Sequence, residues 1–193
     1  YINSTIREYI CSIMSKIEAN TIDSVSGTST LTLGSSNAST IALGSGDVQS
    51  NFLYPAFEAR QDSSQSISSD TYTKINFDQE RFDTNSTYAS SRFTPAVAGK
   101  YFIYSSIALT PGNQTDWSYG NIAIYLNGSS YADQIFDSRA NFVFRALLTI
   151  SRTLDLNTTD YVEIYGRLTA DDGSGISIQD TNGNCFGGYR IGT

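Results

Sequence analysis

Histidine is missing from all 193 residues. Without it no Ser-His-Asp or Cys-His catalytic arrangement can be assembled, and no His-ligated zinc site. Cysteine is nearly absent. Cys11 and Cys185 are too few and too far apart for a disulfide framework or a thiolate metal set, and both read as small buried or half-buried hydrophobes. Only three prolines occur, which argues against a collagen-like stalk. Positive charge is scarce: twelve Lys and Arg face nineteen Asp and Glu, for a net charge of −7, with no basic run. A nucleic-acid binder needs a basic footprint to displace counterions, so neither nucleic acid nor an anionic membrane surface is an expected partner. No apolar stretch approaches the length of a bilayer span, so no membrane insertion is expected. Residues 1–20 are too polar for a secretory signal. The chain opens on Tyr1 rather than Met, consistent with further sequence upstream. With no histidine, no nucleophile motif and no acid pair with a rationale, an enzyme is not expected.

What is present is aromatic and small polar: 13 Tyr and 10 Phe among many Ser, Thr, Asn and Gly, with only 16% charged residues. This is the composition of many short strands joined by polar turns. Strands are predicted around Phe57 and Ala59, over Thr71–Phe77, Tyr101–Leu109 and Asn121–Leu126, over Asn141–Ser151 as the longest, and over Tyr161–Arg167 and Cys185–Ile191. Asn127-Gly128 is a two-residue hairpin signal. Around eight such strands predict an all-β sandwich or jelly roll.

The first 55 residues are organised differently. Ile6, Ile10, Ile13 and Ile17 recur at helical spacing. Isoleucine at both apolar positions of a heptad favours trimers or higher states over dimers, although the run is too short to be stable alone; the competing reading is one amphipathic helix packed on its own domain. Two decapeptides follow: Ser29-Thr30-Leu31-Thr32-Leu33-Gly34-Ser35 matches Ser39-Thr40-Ile41-Ala42-Leu43-Gly44-Ser45. Each copy is a short alternating strand with only two large apolar residues, so it needs copies from other chains to bury them; a disordered Gly/Ser linker is the competing reading, against which the matched parity of the two copies argues. The expected layout is a helix at 1–20 in a trimeric coiled coil, a β-repeat shaft and junction at 21–55, and a jelly-roll head at 56–193.

The stretch RFTPAVAGKYFIYSS, residues 92–106, raises its own question. Tyr101, Ile103 and Ser105 fall on one strand face and Phe102 and Tyr104 on the other. Two apolar faces need two covers, of which the domain's own core supplies one. The surrounding spacing resembles a known family. Phe77 is followed after five residues by Asp83, and after four more by Tyr88. Phe93 then opens FTPAVAGKYFIY, with Gly99, Tyr101 and Tyr104 in place, and the closing CFGGYRIG carries Phe186, Gly188 and Ile191. This pattern is similar to that of the complement-one-q globular head, one of the tumour-necrosis-factor-like jelly rolls. It departs from it in two places: the gap between Tyr88 and Phe93 is two residues shorter, and Ile103 stands where phenylalanine is usual. The resemblance covers about residues 56–193. It implies a jelly-roll head that assembles as a compact homotrimer, with the second face of the Tyr101 strand meeting neighbouring subunits.

Helix, β-repeats and head together look like the distal end of a trimeric fibre of a bacteriophage or other virus. In that setting other virion proteins are expected at the N-terminal end, and a host-surface glycan or protein at the head. The alternatives are a purely structural virion component and a secreted complement-like binding module; Asn-x-Ser/Thr sequons such as Asn85 and Asn157 would be glycan sites only in the latter. For recognition, Asp116, Trp117 and Tyr119 in an expected loop, TPGNQTDWSYG at residues 110–120, combine aromatic rings with acidic and amide groups, as sugar binding and protein hot spots both require. Trp117 as a core cap is the competing reading. Asp171 and Asp172 in a glycine-rich loop are ordinary turn formers, and the same oxygens suit calcium. No other cofactor is expected.

Overall fold

The computed structural model describes residues 55–111, 117–139, 143–170, 176–179 and 182–192, all within the unit Ser50–Thr193. The helix expected at 1–20 and the repeats of the shaft lie outside the described residues.

Thirteen strands among the described residues form two antiparallel sheets. In sheet A the long strand β7 (Gly99–Pro111) is central. One of its edges pairs with β10 (Ala146–Leu156), from Gly99↔Leu156 to Leu109↔Ala146. Its other edge meets β13 (Cys185–Gly192) and then β12 (Ile176–Ile178). Beyond β13 lie β1 (Ala56–Arg60) and β4 (Gln79–Asp83), and beyond β12 lies β2 (Gln65–Ile67). Sheet B runs β5 (Tyr88–Ala89), β6 (Arg92–Phe93), β11 (Val162–Ala170), β8 (Trp117–Leu126), β9 (Ser129–Asp137), with β3 (Thr73–Lys74) also on β11.

Strand alternation builds the core between the sheets. Tyr101, Ile103, Ile107 and Leu109 of β7 face Ile122 and Ile124 of β8 and Ile164 and Leu168 of β11, all fully buried. At one end, the residues that carried the spacing pattern become a single aromatic cluster. The Phe57 ring stacks on Phe93 at 4.4 Å and on Tyr88 at 5.2 Å, and meets the edge of Phe186 at 5.0 Å. Tyr101 packs on Phe93 at 5.3 Å. The buried hydroxyls are satisfied: Tyr88 donates to Phe77 O and Tyr101 to Val97 O, each at 2.7 Å. Asp83 has a turn-forming role, its carboxylate accepting the backbone N–H groups of Asn85, Thr87 and Tyr88. A side chain at Gly99 would put Cβ 2.4 Å from Gly192 O at a φ of +147°, so only glycine fits there.

Both departures from the pattern have a local cause. The short gap is a two-residue hairpin: Ala89 pairs with Arg92, and Ser90 and Ser91 between them take φ values of 52° and 57°, as a type I′ turn demands. At the second site, Ile103 Cδ1 lies where a Cβ on Gly188 would come within 2.6 Å, so the branched aliphatic chain fills the space over that glycine.

Three expectations need correction. The strand expected over Asn141–Ser151 lies at Ala146–Leu156, because Leu154 and Leu156 continue the inward parity of Ala146, Leu148 and Ile150. Phe144 precedes it and is 46% exposed. Among the described residues the longest strand is instead β7. Over Thr71–Phe77 only Thr73–Lys74 joins a ladder; Ile75 and Phe77 are buried, their N–H groups donated to Ile164 O and Ser91 Oγ. The Asn127-Gly128 hairpin forms as expected, with φ values of 52° and 80° and Leu126 opposite Ser129.

Candidate functional site

The outward faces of the two sheets are the surfaces on which function can be built. On sheet A the ladder registers place Phe102, Tyr104, Ser106 and Ala108 of β7 beside Cys185, Gly187 and Tyr189 of β13 and Leu147, Thr149 and Ser151 of β10. This face is largely apolar or uncharged. Tyr189 and Leu147 are 45% and 55% exposed, and the Phe102 ring lies 5.5 Å from Tyr189 and 6.3 Å from Tyr104. The Tyr104 ring lies flat over Gly187, where a Cβ would come within 2.4 Å of it. Its hydroxyl donates to Glu58 Oε2 at 2.7 Å, and Glu58 is paired with Arg81 at 3.3 Å. Burial first, and then Glu58, push the Tyr104 hydroxyl well above the usual phenol range. Cys185 is a free, half-buried thiol on this face, 3.4 Å from Ser106 Oγ; Cys11 lies outside the described residues.

Sheet B turns a different surface outward. Inward Ile122 and Ile124 alternate on β8 with outward Tyr119, Asn121, Ala123 and Tyr125, and β11 sets Glu163, Tyr165 and Arg167 beside them. Tyr125 stacks on Tyr165 at 3.9 Å, with Tyr72 6.0 Å away. Near one end of the face is a cleft of about 330 Å³, with Asn121, Tyr119, Tyr72 and Arg167 inside and Asp133 and Asp137 of β9 at its rim. The Arg167 guanidinium is held between rings, 5.5 Å from the Tyr72 centroid and 5.2 Å from that of Tyr119. It donates to Tyr119 Oη at 3.1 Å and is ion-paired with Asp70. Arg139 pairs with Asp137 and holds that carboxyl down to about 2.

At the other end of sheet B, Glu163 is buried beneath Lys74 Nζ at 2.7 Å and Arg92 Nε at 2.9 Å. Burial raises its carboxyl, but the two cations outweigh burial and hold it below the ordinary glutamate value. The guanidinium of Arg92 also lies 4.0 Å over the Tyr161 ring. This cluster fastens β3 and β6 to β11.

The sequence candidates are only partly placed. Tyr119 stands in the cleft. It is not in a loop, because β7 extends to Pro111 and β8 begins at Trp117. The backbone of Trp117 pairs with Ala170, while its side chain, and Asp116, Asp171 and Asp172, lie outside the described residues. Sequence reasoning missed Tyr72, Asn121, Asp133 and Arg167. The signal was strand parity: Tyr119 and Asn121 share the face opposite Ile122 and Ile124, and Arg167 stands directly across from Asn121. Among the described residues no three of His, Cys, Asp and Glu converge as a metal set.

No family model matches the chain, and no curated protein matches it. Solved structures do match. The globular domain of zebrafish complement 1qA protein is 15% identical, with a TM-score of 0.51 over 71% of this chain and 97% of that one. Murine APRIL is 12% identical, with a TM-score of 0.51 over 72% of this chain and 99% of that one. The fold is therefore the complement-one-q/tumour-necrosis-factor-like jelly roll. At this identity the likeness defines the fold and leaves function to the surfaces.

Proposed function

We propose that the chain is the trimeric head of a viral fibre or appendage and that it binds a host-surface receptor or glycan. The observation that carries this reading is the outward face of sheet A. Among the described residues nothing covers the apolar surface formed by Tyr104, Phe102, Tyr189 and Leu147. Burying a side chain of this size contributes roughly 1.5–3 kcal/mol, so a few per subunit are enough to drive association. The complement-like fold supports a closed threefold arrangement, and the Ile heptad and decapeptide repeats upstream independently favour three chains. The tyrosine-rich face of sheet B, left outside such an assembly, is available for recognition.

Two measurements test the reading. Light scattering on the full chain is expected to give three times 21.1 kDa, and purified heads are expected to compete with virions for adsorption to host cells. A folded monomer at micromolar concentration would refute the assembly. A trimer that leaves adsorption untouched would identify a purely structural virion component instead.

A further inference from the structure

We infer that the cleft on the outward face of sheet B is a binding site for a neutral saccharide, taken up as a monosaccharide or as the terminal residue of a glycan; this rests on the reading of the head as a binding module.

The argument begins at the floor. Asn121 is 2% exposed, and among the described residues its Oδ1 has no hydrogen-bond partner. Its Nδ2 makes only a long 3.3 Å bond to Asp133 Oδ2. A buried acceptor left empty is costly, and native structures rarely tolerate one without a reason. A ligand hydroxyl supplies the missing donor.

The walls are built for the same chemistry. Arg167 donates to Tyr119 Oη, so that oxygen acts there as an acceptor and the phenolic hydrogen remains as a donor for the cleft. The Arg167 contacts also fix the Tyr72 and Tyr119 rings, and a fixed ring is a low-entropy platform for the C–H face of a pyranose. Asp133 at the rim has carboxylate lone pairs beyond its weak bond to Asn121, and carboxylates accept two hydroxyl hydrogens at once. Ile135, 62% exposed beside the cleft, extends the apolar part of the rim.

Charge selects among ligands. Arg167 is neutralised by Asp70 and Arg139 by Asp137, and Asp133 adds a further negative charge. The cleft therefore repels carboxylated or phosphorylated sugars and suits a ligand rich in neutral hydroxyls. Its size, about 330 Å³, sits at the small end of ligand clefts, roughly 300–1,000 Å³, and so fits one sugar ring rather than an extended chain.

The test titrates the full chain with the methyl glycosides of glucose, galactose, mannose and N-acetylglucosamine, and with N-acetylneuraminic acid as the anionic comparison, by calorimetry and NMR. Tyr119→Phe and Asp133→Asn are tested alongside, since each keeps shape and is expected to keep the melting temperature. At least one neutral glycoside should saturate in the millimolar range, and each substitution should weaken it about tenfold, the scale of one lost hydrogen bond to a charged or buried group. The inference is overturned if none of the neutral glycosides saturates at tens of millimolar, if N-acetylneuraminic acid binds more tightly than all of them, or if binding survives both substitutions. Adsorption separates this inference from the wider reading. Heads that saturate with none of the neutral glycosides, yet block adsorption equally well with and without Tyr119→Phe, overturn the cleft and leave the attachment role standing. A glycoside that binds wild-type and is lost in both variants, from a head that never blocks adsorption, upholds the cleft and overturns the attachment role.

Discussion

The outward faces of sheets A and B are made by the same strand alternation over the same core, yet they differ in kind. On sheet A the aromatic groups lie mainly over backbone and small residues, with charge entering through the Glu58–Arg81 pair at the Tyr104 hydroxyl: Tyr104 covers Gly187, and Phe102 meets Tyr189. On sheet B the tyrosines are interleaved with charge, as Arg167 between Tyr72 and Tyr119 and Glu163 beneath Lys74 and Arg92 show. Aromatic content alone therefore does not identify an interface. A flat aromatic face with few charges gains most from a protein cover, because little has to be desolvated. Rings held by paired ions keep their polar partners wet and suit a hydrated ligand.

The largest effect is expected from placing a charge on the first face. Phe102→Asp buries an unpaired carboxylate in every subunit of an assembly sealed by sheet A, at a cost of several kcal/mol per site. Light scattering should then show a folded monomer of 21.1 kDa; an intact trimer would remove sheet A from the seam. Next is Glu163→Gln, which leaves Lys74 and Arg92 without their carboxylate and should cost roughly 1–3 kcal/mol in urea unfolding at pH 7. Its pH dependence has a definite sign. The folded carboxyl sits below its ordinary value, so its stabilisation is complete above the unfolded value of about 4.3 and is lost as pH falls through the lower folded value. The gap between wild type and Glu163→Gln should therefore close on acidification, and a gap that stays constant would assign the cost to packing. A smaller effect follows from Leu147→Ser, which should weaken association by about 1 kcal/mol per subunit on dilution while leaving a monomer's stability within about 0.5 kcal/mol. The smallest belongs to its counterpart on sheet B. Ile135→Ser is expected to change the unfolding free energy by less than about 0.5 kcal/mol and to leave the mass in solution unchanged; dissociation by Ile135→Ser would mean that the second face is also a seam.

Much of the fold was legible because its core residues are both apolar and regularly spaced. Phe57, Phe77, Tyr88, Phe93, Tyr101 and Phe186 show in the sequence, and in the structure they are one cluster. Strands β4 and β9 were not legible. QERFD and SSYADQIFD are polar over most of both faces, and only Ala132 and Phe136 of β9 turn to the core, so no clean alternation announces them. The cleft was half legible. Tyr119 stood out as an aromatic beside acidic residues, but its partners come from three other places in the chain: Asp70 and Tyr72 between β2 and β3, Asp133 on β9, and Arg167 on β11. Such a convergence depends on sheet register, which no local window contains. The shift of β10 by five residues has a similar origin, because Phe144 continues the apolar parity past the point where the ladder ends.

The position of β1 has a mechanical meaning. It is held on both sides, Ala56–Arg60 against β13 and Phe57–Arg60 against β4, and its first residue adjoins the end of β13, where Arg190 N donates to Pro55 O at 3.0 Å. A tension applied at residue 55 and resisted at the Arg60 end of the strand runs along β1 and strains both ladders at once, so the strand must shear rather than peel. The same tension applied between residue 55 and residue 192 acts across neighbouring strand ends and opens their bonds one after another. Strand β1 is thus better held against tension along its own length than against tension that separates it from the end of β13.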